Sequence, residues 1–145
     1  MEPEHNQQSK PTCDGLLIYC SDFRFWRAAF NYLIENLKIT KFDILCYPGS
    51  AANLCKDLTS TQDFLEKIRF LYHRHEFHTI VIANHTDCGG YGDRVDFPNP
   101  ESEKQTHIMD LMSAKSKLMS EFPHLNIIPI YISQTHDAVH VERIL

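Results

Sequence analysis

Residues 79–89 read TIVIANHTDCG, an apolar run rich in β-branched side chains that leads straight into a polar segment containing histidine and cysteine. Such a run, covering 79–83, is typical of a strand that is buried on both faces, as in a parallel sheet. Similar runs lie at 16–19, 42–46 and 126–132. We therefore expect about four buried strands.

Between these runs the apolar residues recur every three or four positions, which is the spacing of a helix with one buried face. The pattern predicts helices over 25–37, 60–74 and 102–122, the second capped by a serine or threonine at 59–61. Strands that alternate with helices imply right-handed crossovers. The predicted fold class is three-layer, doubly wound α/β, with a mainly parallel sheet and helices on both faces.

Length and composition narrow the function classes. A chain of 145 residues suits one hydrophobic core, so we predict a flexible arm over 1–14 and a single domain over 15–145. The net charge of -5 argues against a nucleic-acid partner, and no apolar stretch is long enough for a bilayer. Five cysteines, an odd number, favour a reducing compartment, so we expect a cytoplasmic protein with a small-molecule substrate.

Two short motifs carry the metal-binding chemistry. Cys20 follows the strand at 16–19, and His85 and Cys88 follow the strand at 79–83. In doubly wound sheets, ligands bind beyond the carboxyl ends of the strands, where the strand order reverses. If these two strands are neighbours, the three side chains converge. Two thiolates and an imidazole are a common ligand set for zinc and leave a fourth position open. The sequence therefore predicts one Zn²⁺ at this edge.

Cys-x-Asp-x-Arg followed by His-x-x-Cys-Gly resembles the β-class carbonic anhydrases, and the resemblance extends over 16–132. It points to a small, minimal branch of that family. It implies that Cys20, His85 and Cys88 hold zinc and that Asp22 and Arg24 serve the fourth position. The implied activity is reversible hydration of carbon dioxide to bicarbonate by zinc-bound hydroxide. The family also implies a homodimer or a higher homo-oligomer.

The chain departs from the family pattern near this site. Phe23 stands where the family usually has serine, and residues 47–50 read YPGS in place of Arg-Asn-Ala-Gly, which removes one cation. Zinc with two thiolates and a neutral imidazole carries no net charge, so it acidifies bound water less than a three-histidine site does. Asp22, held by Arg24, would therefore be needed as a hydrogen-bond acceptor. Released from Arg24, Asp22 could instead become the fourth zinc ligand in a closed state.

Other functions share these residues. A hydrolase of carbon disulfide or carbonyl sulfide would use the same chemistry. A non-catalytic protein could hold the metal as a structural element. A nucleotide-binding domain is disfavoured, since no phosphate loop follows the first strand.

The remaining candidate residues are interpreted as structural. Three histidines lie at the end of the second predicted helix: His73, His75 and His78. Cationic side chains there complement the helix dipole, and this account is favoured over a second metal cluster.

The three further thiols, of Cys13, Cys46 and Cys55, are taken as small buried or half-buried residues. His107 and Tyr91 are taken as ordinary surface or loop residues.

Overall fold

The computed structural model describes residues 10–92 and 96–145, which form a five-stranded sheet covered by helices. Its strands are β1 (Gly15–Tyr19), β2 (Phe42–Cys46), β3 (Thr79–His85), β4 (Asn126–Thr135) and β5 (Ala138–Arg143). Their order across the sheet is β2-β1-β3-β4-β5, and only the β4–β5 pair is antiparallel. The predicted doubly wound α/β class with a mainly parallel sheet is confirmed.

The two edge strands differ from the sequence-based expectation. The fifth strand, β5, was not predicted; it returns antiparallel to β4 after a two-residue turn in which His136 adopts a φ of 54°. Its side chains are mostly exposed and its apolar residues are interrupted by polar ones, so it lacks the continuous apolar run that marks a buried strand. Strand β2 was expected to be buried on both faces but lies at the other edge, where Ile44 is 51% exposed.

The helices lie close to their predicted positions. The predicted 25–37 helix is a short α-helix that continues as a π-helical turn. The second helix begins two residues earlier than expected, because Asp57 is its N-cap and accepts a hydrogen bond from the Ser60 amide at 3.1 Å. Asn99 caps the third helix in the same way. The helical segments are α1 (Trp26–Asn31), the π-helical turn (Tyr32–Asn36), a 3₁₀-helix (Ser50–Leu54), α2 (Leu58–His75) and α3 (Pro100–Glu121).

Apolar side chains on the two faces of the sheet form two separate core layers. On one face, Leu16 and Ile18 of β1 pack with residues of α2, α3 and the 3₁₀-helix. On the other face, Leu17 packs with Ala29 of α1 and with Leu33. Successive side chains of a strand point to opposite faces, so one uninterrupted apolar run supplies both layers.

The strand order reverses between β1 and β3. The chain passes from β1 to β2 on one side, then returns across β1 to β3 on the other side. In register, Ile18 of β1 lies beside Ile82 of β3. The carboxyl ends of β1 and β3 therefore adjoin at the switch point, and Cys20 and His85 lie at these ends.

Some sequence-based expectations fall beyond the described residues. The arm predicted over 1–14 lies largely outside them, and the loop over 89–100 lies partly outside them. Within the described parts, no helix is long and apolar enough to cross a membrane.

Candidate metal centre

Cys20, His85 and Cys88 lie together in the interior at the switch point. The three side chains are buried, with one donor atom from each lying within 4.8 Å of the others. The sulfurs of Cys20 and Cys88 are 3.8 Å apart. Two thiolates bound to one tetrahedral zinc at about 2.3 Å would be about 3.8 Å apart, so the spacing suits the ion.

His85 presents one free ring nitrogen to this cluster. Its Nδ1 lies 2.7 Å from the Thr86 carbonyl oxygen, to which it donates, while its buried Nε2 has no hydrogen bond to any described residue. The Phe25 ring stacks on the imidazole with centroids 4.6 Å apart. Metal-binding histidines commonly have one nitrogen held in this way and the other directed at the metal. The donor set of Cys20, His85 and Cys88 therefore fits zinc.

The two thiols interact strongly with each other. The hydrogen bond from Cys88 lowers the pKa of the Cys20 thiol to about 3, although burial opposes this shift. The same pairing, reinforced by burial, raises the pKa of Cys88. The backbone amide of Gly49 lowers the pKa of both thiols. The two sulfurs share a hydrogen bond, and a bound cation would take the place of the proton between them.

Gly49 and Gly90 bring two loops into backbone contact beside the sulfurs. A Cβ atom on Gly90 would lie 2.6 Å from the Cα of Gly49, which no real side chain could accommodate. Gly49 has a φ of 81°, in the left-handed region. The segment over 47–50 therefore closes one side of the centre with the backbone amide of Gly49.

Asp22 and Arg24 form a two-pronged ion pair at the mouth of the site. The Arg24 Nε and Nη2 donate to the two carboxylate oxygens of Asp22 at 3.0 and 2.7 Å. This pairing lowers the pKa of Asp22, chiefly through the hydrogen bonds from Arg24, and raises the pKa of Arg24. Asp22 is therefore a carboxylate at every pH at which the protein would be assayed.

Arg24 also binds Asp87, a residue that the sequence motifs did not single out. Its Nη1 donates to the Asp87 carboxylate at 3.0 Å, and its Nη2 donates to the Asp87 carbonyl oxygen at 2.9 Å. Asp87 has a φ of 55°, a left-handed conformation that aspartate tolerates better than most residues. One guanidinium thus links the loop after β1 to the loop after β3. The signal for Asp87 was its place inside His-x-x-Cys, between two ligands.

Glu103 of α3 holds the same loop from behind. Its side chain is almost fully buried and accepts hydrogen bonds from the Thr86 hydroxyl and from the Asp87 amide. Sequence reasoning had no means of finding it, because an acidic residue in the first turn of a helix is ordinary. Its role is to position the segment that carries His85 and Cys88.

His107 was expected to be a surface residue, and this expectation is wrong. The side chain is fully buried beneath Tyr91, with ring centroids 4.2 Å apart. Asn84 donates to His107 Nδ1 at 3.0 Å and to the Tyr91 hydroxyl at 2.8 Å, and its own oxygen accepts from the Ala51 amide. This polar cluster anchors the end of β3 directly before His85.

Burial lowers the pKa of His107 to about 4, against an ordinary value of 6.5. As pH falls, the unfolded chain therefore takes up this proton before the folded protein does, and stability is lost between these two values. From pH 7 to pH 5 we expect the wild type to lose about 2 kcal/mol more unfolding free energy than His107→Gln. Urea unfolding of both metal-free proteins at the two pH values would measure this difference, and equal losses would contradict it.

The space beside the ligands is small and mainly apolar. A cavity of ≈ 10 Å³ touches Cys20 and His85, and its other lining residues include Phe25, Trp26 and Ile132. A volume of this size holds about one water molecule.

Comparisons with known proteins agree with this architecture. A family model described as putative carbonic anhydrase matches residues 10–143, which is nearly the whole chain. The chain belongs to this family. No curated protein matches the sequence of this carbonic anhydrase family member.

Solved structures similar to the chain include two of β-carbonic anhydrase CafD of the filamentous fungus Aspergillus fumigatus. The wild-type structure has a TM-score of 0.54 and 14% identity, covering 88% of this chain and 87% of its own. A point mutant of the same enzyme has a TM-score of 0.42 and 16% identity, covering 87% of this chain and 86% of its own. At this identity, the wild-type match shows that the fold is that of β-carbonic anhydrases.

Proposed function

We propose that the protein is a zinc-dependent lyase that reversibly hydrates carbon dioxide to bicarbonate. The observation that carries the proposal is the buried Cys20–His85–Cys88 cluster, with an unpartnered imidazole nitrogen, in a member of a carbonic anhydrase family. The space beside the cluster is lined mainly by apolar side chains.

The metal would be held by the sulfurs of Cys20 and Cys88 and by Nε2 of His85. When bound, zinc supplies a Lewis acid that lowers the pKa of a coordinated water and so provides a nucleophile near neutral pH. Two thiolates and a neutral imidazole cancel the charge of the ion. The surrounding residues must therefore favour the deprotonated nucleophile.

Asp22 and Arg24 are the residues that would favour the deprotonated nucleophile. The carboxylate of Asp22 stays ionised because Arg24 grips both of its oxygens, so it can accept a hydrogen bond from the nucleophile. Arg24 is itself held by Asp87, which fixes the carboxylate relative to the His85–Cys88 loop. If Arg24 released Asp22, the carboxylate could move to the fourth metal position and close the site.

The test is a stopped-flow assay of zinc-loaded protein with three substrates. Carbon dioxide hydration above the buffer rate supports the proposal, and we expect a higher rate at alkaline pH. Hydrolysis of carbon disulfide or carbonyl sulfide without carbon dioxide hydration would assign the protein to the hydrolase alternative. If the zinc-loaded protein acts on none of the three substrates, the proposal fails and the metal has a structural role instead.

We also propose that two or more copies of the chain associate. Phe23 is 82% exposed beside the Asp22–Arg24 pair, Trp26 is partly exposed next to it, and β5 is an edge strand. An exposed edge and neighbouring aromatic side chains are features that a second copy would cover.

Light scattering should show a dimer or larger assembly that Phe23→Glu shifts toward monomer. Phe70→Glu, at a residue 63% exposed on α2, is the matched control and should leave the assembly unchanged. A wild-type monomer at high protein concentration would contradict the proposal.

A further inference from the structure

A second group of side chains of the types that bind metals lies at the opposite end of the sheet, beside the amino ends of β1 and β2. Cys13 precedes β1, Asp43 lies in β2 and His75 is the last residue of α2. One donor atom from each lies within 4.8 Å of the others. These residues are far apart in the sequence, so no motif spacing could indicate them.

Backbone hydrogen bonds hold the segments that carry this group. The Cys13 amide donates to the His75 carbonyl oxygen at 3.1 Å, and the Asp14 amide donates to the Lys41 carbonyl oxygen at 2.8 Å. The end of α2 and the approach to β2 are therefore both tied to the segment before β1. The fold itself brings the donor atoms together, so metal binding would cost less conformational entropy.

The side chains are close to the spacing of metal ligands. His75 Nδ1 lies 2.7 Å from the Asp43 carboxylate. A nitrogen and an oxygen ligand on a tetrahedral zinc are about 3.4 Å apart, so this pair would open by about 0.7 Å to admit an ion. The Asp43 and His75 side chains are 19% and 28% exposed, which gives an ion a path from solvent and leaves room for a water ligand.

The donor set selects a class of metal. A thiolate and a carboxylate together carry two negative charges, which balance a divalent ion, and imidazole is neutral when it binds metal. A sulfur and a nitrogen ligand suit zinc and similar transition ions, whereas magnesium and calcium prefer oxygen ligands only.

We propose that Cys13, Asp43 and His75 form a second binding site for a divalent transition ion such as Zn²⁺. The chain from Cys13 to Cys20 runs nearly straight through β1, so this site is about 20 Å from the first at a rise of ~3.3 Å per residue. The proposal does not depend on the proposed function. It assigns to His75 a role that the helix-terminus account of the three histidines does not include.

The first test counts metal ions in protein that is saturated with zinc and then desalted. Wild type should hold about two ions per chain, and His75→Ala and Cys88→Ser should each hold about one, since each removes a different site. His73→Ala removes a neighbouring histidine of α2 and should still hold about two. A His75→Ala protein that holds as many ions as wild type would mean that His75 and Asp43 form only an ion pair.

The second test reports the sulfur ligand directly. Co²⁺ added to protein that already carries one zinc should produce a thiolate-to-cobalt charge-transfer absorption in wild type and in Cys46→Ser, and none in Cys13→Ser. Thermal unfolding in chelator, with equal midpoints for all three proteins, shows that Cys13→Ser is folded. Absence of the band in wild type, or its persistence in folded Cys13→Ser, would overturn the proposal.

Discussion

Replacing Cys88 by serine is expected to remove one zinc ion per chain and to lower the unfolding free energy by an amount on the order of 5 kcal/mol. Cys88 is buried and its sulfur lies 3.8 Å from that of Cys20. A serine hydroxyl is a poor zinc ligand, and losing one of three protein ligands abolishes tight binding. Elemental analysis and urea unfolding of parent and variant would measure both effects.

The matched control for this prediction is Cys46→Ser. Cys46 is exposed and belongs to neither metal-binding cluster, so this variant should keep the zinc content and stability of the parent. In excess chelator, most of the difference between parent and Cys88→Ser should disappear, because the difference is mainly the free energy of metal binding. A parent without zinc at the first site, as stable as its Cys88→Ser variant, would end the zinc interpretation.

Replacing Asp22 by asparagine is expected to reduce carbon dioxide hydration by ~100-fold or more while zinc content is retained. Asparagine keeps the shape of the side chain but loses the negative charge, which strengthens the hydrogen bond that the side chain accepts and pairs with Arg24. Since the pKa of Asp22 is lowered by Arg24, the wild-type carboxylate does not titrate in the assay range. The variant should therefore be slower at every pH, measured by stopped flow between about pH 6.5 and 9.

Arg24→Ala should cause a loss of similar size, because it frees Asp22 to approach the metal and also breaks both contacts with Asp87. Arg24→Lys should recover little of the lost activity, since an ammonium cannot reproduce the planar guanidinium group that binds both Asp22 and Asp87. Arg27→Ala is the matched control: Arg27 lies on the neighbouring helix α1, packed on Trp26, and should have little effect. A zinc-loaded wild type no faster than Asp22→Asn at any pH would refute the catalytic role.

Local sequence patterns predicted the parts of the fold that are buried on both faces. The apolar runs that became β1, β3 and β4 can be recognised without tertiary information, because a strand covered on both sides must be apolar at consecutive positions. Strand β5 escaped prediction for the opposite reason. It is an exposed edge strand stabilised by hydrogen bonds to β4, and its short sequence has no continuous apolar run.

The residues of the candidate metal centre could also be predicted from the sequence. Cys20, His85 and Cys88 follow strands that a doubly wound sheet places side by side, so topology and motif spacing together predicted their convergence. The identity of the ion, the occupant of the fourth position and the reaction stay proposals, because they depend on chemistry that the side-chain positions alone do not fix.

Contacts between distant segments were decided only by the tertiary structure. Glu103 and His107 are separated from the ligand motif by a loop, and their burial depends on how α3 packs against the sheet. Cys13, Asp43 and His75 come from three elements and meet because the amino ends of β1 and β2 and the end of α2 share one edge. A sequence encodes burial along the chain through periodicity, but polar contacts between distant segments depend on the packing of the whole fold.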